Sequence, residues 1–283
     1  MAKFVATDLD GTFLNDKKQY NRDLFAQVIN AYTAEGGQFI VASGRDLRHV
    51  QMLFGGFLDK VNIVADNGAT LLSADQQLSD RLTMTPEQLA DLQDQIDLMP
   101  GKPHGGVMIF SPDELLVVRD YGQVPPAFVA MMAELYGQPR EVVSLREVDV
   151  PVVKVTVFWT LSESETFVNQ VKQSGIDVHA TTPGNGVVDV MATGVNKAVS
   201  LERMLAHLGG QPADLMAFGD GMNDQEMLSV AGQPVIMPNA DKRLFAYGYA
   251  VAVADNNHDG VLQTIAKKGM SSCSSLLLFT DFI

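Results

Sequence analysis

The sequence predicts an α/β fold, a parallel-sheet core interrupted by an inserted α+β domain, and three observations carry that reading. Short apolar runs alternate with amphipathic helical stretches at the start of the chain and again towards its end, the βαβ rhythm of a parallel sheet. Between these stretches, strand-like runs follow one another without crossover helices. At 283 residues the chain exceeds one typical domain, which leaves room for both parts.

Phe4, Val5 and Ala6 form a short buried strand, and Asp8, Asp10, Gly11 and Thr12 end it with a turn signal. Asn21 caps a helix with Leu24, Phe25, Val28, Ile29 and Tyr32 on one face, and Gly36 and Gly37 stop it. Residues 38–42 make a second strand that stops at Ser43-Gly44-Arg45. A short helix with Leu47, Val50 and Phe54 inward leads to a third strand, 62–65, stopped at Asp66-Asn67-Gly68. The rhythm changes near Leu82. Helices over 86–99, 126–135 and 162–173, with strands over 106–110, 115–118, 152–160, 176–181 and 187–191, suggest an antiparallel sheet with helices on one face. The βα rhythm resumes with a helix capped by Asn196 and a strand over 215–218 that ends in Gly219-Asp220-Gly221-Met222-Asn223-Asp224 and a following helix. Two more strands, 234–237 and 249–253, flank a short helix around 242–247. The expected organisation is a discontinuous core, 1–83 and 185–270, an α+β insertion, 84–184, and a Ser-rich then apolar tail, 271–283, docked or frayed.

Composition narrows the function. With 20 Lys and Arg against 34 Asp and Glu, a formal charge of −14 makes the chain a poor binder of nucleic acid or anionic membrane. A phosphate site would then need local positive charge or a metal. The single Cys273 excludes an internal disulfide and fits a reducing compartment. The five His residues lack metal-ligand spacing, which argues against a zinc site. No signal peptide or membrane span is apparent, so a cytoplasmic protein without an obligate protein partner is expected.

The chemistry-bearing residues gather at strand ends. Residues two apart in an extended chain point the same way, so Asp8 and Asp10 emerge together at a strand's C-terminal end, where open α/β sheets bind ligands. Paired carboxylates repel unless a cation neutralises them or one stays protonated, and oxygen-only ligation suggests Mg²⁺. Asp220 leaves a strand tip and completes such a site with Asp8, while Asp224 supports it from behind. Ser43 and the N–H groups of Gly44 and Arg45 open a helix, a ready anion site, and Lys197 supplies the point charge that a phosphoryl group needs. Asn67 and Asn223 join them as candidate substrate contacts.

In this order, D-L-D-G-T at Asp8–Thr12, Ser43, Lys197 and G-D-G-M-N-D at 219–224 closely resemble the four motifs of the haloacid-dehalogenase-like hydrolase superfamily. The insertion resembles the type 2B cap of its Cof-type subfamily, as do A-S-G-R at 42–45 and D-N-G-A at 66–69, and the whole resembles bacterial sugar phosphatases. Asp66 stands where that subfamily more often carries Glu. The resemblance implies a Rossmann-like core, a Mg²⁺ cofactor and hydrolysis of a small phosphate ester. It implies Asp8 as nucleophile, Asp10 as general acid/base, and the metal on Asp8, Asp220 and the Asp10 backbone carbonyl. Two other readings stay open on the sequence: a phosphomutase or phosphotransferase, and a receiver-like module in which Asp8 is merely phosphorylated.

Overall fold

The computed structural model describes residues 2–269, so the tail expected at 271–283 lies outside the described residues. In chain order the first stretch gives β1 (Phe4–Thr7), α1 (Arg22–Ala34), β2 (Gln38–Ala42), α2 (Leu47–Leu53), β3 (Val61–Ala65), β4 (Thr70–Leu72) and β5 (Ser79–Arg81). The middle stretch gives α3 (Pro86–Asp97), β6 (Val107–Phe110), β7 (Leu115–Val118), α4 (Pro126–Tyr136), β8 (Arg140–Val142), β9 (Lys154–Phe158), α5 (Leu161–Ser174), β10 (Val178–Gly184) and β11 (Val187–Ala192). The last gives α6 (Lys197–His207), β12 (Leu215–Gly219), α7 (Gln225–Val230), β13 (Gln233–Ile236), β14 (Ala250–Val251) and α8 (Gly260–Gly269).

The chain divides into two compact units, residues 46–49 and 80–196 forming the second. The first unit holds an eight-stranded sheet in the order β14-β13-β12-β1-β2-β3-β4-β5. From β14 to β3 every pair is parallel, and β4 returns antiparallel to β3. Strand β1 is buried at every position, as an apolar run between two parallel neighbours must be. Its neighbours are β2 on one side and β12 on the other, so the strand order reverses there. That reversal is the switch point at which open α/β sheets bind ligands. Phe4, Ile40, Leu201, Met204, Leu215 and Met227 belong to one apolar cluster of this unit. Phe13 packs its ring 5.6 Å from Phe25 and 5.8 Å from Phe39, which anchors the loop leaving β1.

The second unit holds a six-stranded sheet in the order β10-β11-β9-β6-β7-β8. Helices α3 and α5 each begin with a reciprocal cap, Thr85 with Gln88 and Thr160 with Glu163.

Several sequence expectations need correction. Strand β11 pairs with β9 and β10, so the second unit runs to Asn196 and the boundary expected after residue 184 is displaced. Gly184, Asn185 and Gly186 all have positive φ, a hairpin turn rather than a linker. The second sheet is mixed, because β7 and β8 run parallel. Strands β4, β5 and β8 are too short to show a periodicity, and α8 was not foreseen.

Candidate active site

Because β1, β2, β3 and β12 run parallel, the residues after each of them lie on one rim of the first unit's sheet. There the structure brings together Asp8, the Ser43–Arg45 loop, the Asp66–Gly68 turn, the 220–224 segment and Lys197, the first residue of α6.

Lys197 is the centre of this arrangement. Its Nζ donates to Asp8 Oδ1 and to Asp224 Oδ1, both at 2.6 Å, with a side chain only 2% exposed. Asp224 uses its other oxygen to accept from the N–H groups of Asp220 and Gly221, both at 3.0 Å. It therefore fixes the turn that aims Asp220. Thr12 Oγ1 donates to Asp220 Oδ1 at 2.7 Å and holds that carboxylate from the other side.

One oxygen from each of Asp8, Asp220 and Asp224 lies within 4.8 Å of the others, three negative groups against one ammonium. The electrostatics follow. Burial pushes Asp8 well above the ordinary carboxylate range, with Lys197 opposing and the Asp224 and Asp220 charges adding to it. Asp220 is pushed up to about 6, by burial first and then by Asp224. For Lys197 burial works against the charge, but Asp224 and Asp8 outweigh it and hold the ammonium above its ordinary range.

An oxygen-only donor set with surplus negative charge suits Mg²⁺. With Asp224 engaged on both oxygens, Asp8 and Asp220 are the carboxylates that would hold the cation. Gly11, at φ +82°, keeps room beside them, since a Cβ there would lie 2.3 Å from Asp220 Oδ2. The carboxylate of Asp10 does not join this cluster. It is clasped by Arg45, whose Nε and Nη2 donate at 2.6 and 2.7 Å, and by Lys18 at 2.8 Å. Burial opposes its charge, but these two cations hold Asp10 down to about 2.

The loop after β2 differs from the sequence expectation. The Arg45 N–H donates to Ser43 Oγ at 3.1 Å, and α2 starts only at Leu47, with Asp46 accepting from the His49 N–H. The helix opening expected at Ser43–Arg45 is thus a loop instead. The Arg45 guanidinium faces Asp10. Asn67 sits at φ 54° after Asp66 at φ 52°, two consecutive left-handed residues that cost of order 1–3 kcal/mol each. Its Oδ1 lies 2.9 Å from where a Gly44 Cβ would stand, so a side chain at 44 would collide with it. Asn223 is partly buried and folds its carboxamide back over Gly221. Thr12 and Lys18 escaped the sequence reading. Thr12 stands inside the first motif and was legible there, whereas nothing in the sequence marks Lys18.

Comparison with known proteins decides the family. The family model for haloacid dehalogenase-like hydrolases matches residues 5–265. The chain belongs to that family. A relative from Escherichia coli strain K12, the 5-amino-6-(5-phospho-D-ribitylamino)uracil phosphatase YbjI, is 27% identical over 94% of this chain and 95% of its own. The HMP-PP phosphatase of Cronobacter sakazakii is 26% identical over 87% of this chain and 88% of its own. Among solved structures, SMU.1108c from Streptococcus mutans UA159 aligns with a TM-score of 0.84 at 26% identity, over 94% of this chain and 98% of that one. This haloacid dehalogenase-like chain is a phosphatase. Among the described residues no helix is long and apolar enough to cross a membrane.

Proposed function

We propose that the chain is a Mg²⁺-dependent phosphatase of small phosphorylated metabolites, sugar phosphates foremost, that works through an aspartyl-phosphate on Asp8. The observation that carries this reading is the buried Asp8–Lys197–Asp224 chain beside Asp220, at the switch point of the sheet. A relative named for a phosphoribityl ester supports the substrate class.

In this reading the Asp8 carboxylate attacks phosphorus in line, forming a carboxyl–phosphorus ester as the bond to the leaving alkoxide breaks. Lys197 holds Asp8 at a fixed oxygen and offers its ammonium to the transferring group. A cation bound at Asp8 and Asp220 would offset charge on the phosphoryl oxygens. Ser43, Gly44, Asn67 and Asn223 hold the phosphoryl group and the ester. Asp10 gives the departing alkoxide its proton and later takes one from the water that hydrolyses the intermediate. Clasped by Arg45 and Lys18 it is a carboxylate, which suits the second half of that cycle. Its acid half begins when the incoming phosphate draws those cations away and Asp10 takes up a proton from solvent, which it then gives to the alkoxide, so Arg45 serves Asp10 and substrate in turn. The protein works in the cytoplasm.

Phosphate release from a panel of sugar phosphates, nucleotides and acyl phosphates, with Mg²⁺ and with EDTA, tests this. Release that needs the metal, favours sugar phosphates and vanishes in Asp8→Asn is expected. Equal release with EDTA would end the metal reading, and a wild type labelled on Asp8 without release would end hydrolysis.

A further inference from the structure

Ser200 lies buried on α6, one helical turn beyond Lys197, and its Oγ donates to the Gly68 carbonyl at 2.7 Å. Residues three apart share a helix face, so the side that carries Lys197 to Asp8 also carries Ser200 to this turn. A serine inside a helix commonly bonds back to its own helix. This one reaches across to another element.

The turn it reaches has an unusual backbone. Asp66, Asn67 and Gly68 have φ of 52°, 54° and 109°, three left-handed residues in succession. Such a backbone persists only where its surroundings fix it. On its far side the turn is fastened to the loop after β2, the Asn67 N–H donating to the Ser43 carbonyl at 3.0 Å and the Asp66 N–H to the Arg45 carbonyl at 2.9 Å. Thr70 Oγ1 adds a bond to Asp66 Oδ2 at 2.9 Å. The turn therefore stands between the loop of Ser43 and Arg45 and the helix that begins at Lys197.

We infer that Ser200 is a positioning residue of the active site, which through Gly68 fixes the spacing between the Ser43–Arg45 loop and Lys197. This rests on the proposed phosphatase chemistry, in which both elements hold the phosphoryl group. Without the Ser200 bond the turn keeps its hydrogen bonds to the loop but loses the one from Ser200 to Gly68. Phosphoryl ligands on the two sides can then drift apart.

The test uses the full chain with Ser200→Ala, and with Ser200→Cys, which fills the same space but donates weakly. Turnover of p-nitrophenyl phosphate per folded molecule, its KM, inhibition by inorganic phosphate and Tm are measured beside wild type and Asp8→Asn. Both Ser200 variants should lose about 10-fold in kcat, short of the roughly 100-fold that a 1 Å misplacement costs. Inhibition by inorganic phosphate should weaken in both. A Cys variant with wild-type kcat per folded molecule overturns the inference, whatever its Tm. If Asp8→Asn keeps wild-type turnover, the phosphatase reading of the site falls. If Asp8→Asn is inactive while Ser200→Cys matches wild type, only the role of Ser200 falls.

Discussion

Among the described residues two lysines are buried beside carboxylates, Lys197 in the first unit and Lys154 in the second, and their surroundings differ in charge. Lys197 meets Asp8 and Asp224 at 2.6 Å, with Asp220 beside them, so negative charge is in surplus. Lys154 lies 3.8 Å from Asp189, with its Nζ 4.5 Å from the centre of the Phe110 ring. Thr156 Oγ1 completes Asp189 at 2.6 Å. In that contact one positive charge faces one negative charge. A contact in which the two charges balance asks for no further cation, whereas a surplus of buried negative charge destabilises the fold until another cation arrives. A fold keeps such a surplus where it binds something, and the surplus stands at the switch point of the first sheet.

The comparison is tested most severely by neutralising Asp8. Asp8→Asn should lower turnover by about 1000-fold or more, since the nucleophile is gone. Its Tm should hold or rise, because one of three mutually repelling carboxylates is removed. A loss of both activity and Tm would mean that Asp8 supports the fold as an ordinary ion-pair partner. Lys197→Met goes the other way: it strips the cluster of its ammonium, and breaking a buried pair costs about 3–5 kcal/mol. Turnover should fall about 100-fold as well, and added Mg²⁺ should recover part of the Tm but little of the rate.

Titration separates the clasped Asp10 from the surplus. Asp220 is raised to about 6, so between about pH 4 and 6 the folded chain holds a proton that the unfolded chain releases. Stability from this group is present at low pH and is lost as pH rises through that window, and Asp8 acts in the same direction. Asp10, held at about 2, contributes the opposite: stability present above about pH 4 and lost as pH falls towards 2. Mg²⁺ binding at Asp8 and Asp220 displaces their protons, so the Tm gained on adding Mg²⁺ should be larger at pH 7 than at pH 5. Thermal melts in EDTA and in Mg²⁺ at the two pH values check this; equal gains would place the cation elsewhere.

How far the sequence reached follows from the same contrast. Asp8, Asp220 and Asp224 were legible because strand-then-turn patterns place them at strand ends that parallel strands bring to one rim, and Lys197 because it opens the helix that Asn196 was expected to cap. The clasp of Arg45 and Lys18 on Asp10 was not, because it depends on where two long side chains turn, which no periodicity records. The bond from Ser200 to Gly68 was hidden for a related reason: a serine in a helical pattern reads as surface or back-bonded. The β10–β11 hairpin was cut because Gly184-Asn185-Gly186 is equally good chemistry for a linker and for a turn. The end of the second unit, at 196/197, needed the pairing of β11 to be seen.

The smallest expected effect is the one that separates the two lysines most cleanly. Lys154→Met alone leaves Asp189 buried without its lysine and should cost about 3–5 kcal/mol, much like Lys197→Met. Joining it to Asp189→Leu removes both charges, and a buried pair exchanged for apolar residues of similar volume is often neutral or stabilising by about 1–4 kcal/mol. The double variant should therefore return to within about 1 kcal/mol of wild type, less any cost of leaving Thr156 without its acceptor. The corresponding removal at the first site, Lys197→Met with Asp224→Leu, should not return. Asp224 also holds the N–H groups of Asp220 and Gly221, so its loss leaves the turn that aims Asp220 unbonded. Denaturant melts of these four variants together with the single variants Asp189→Leu and Asp224→Leu give both coupling energies. A full recovery at Lys197 and Asp224 would make that cluster a second self-contained pair, and the contrast between the two units would disappear.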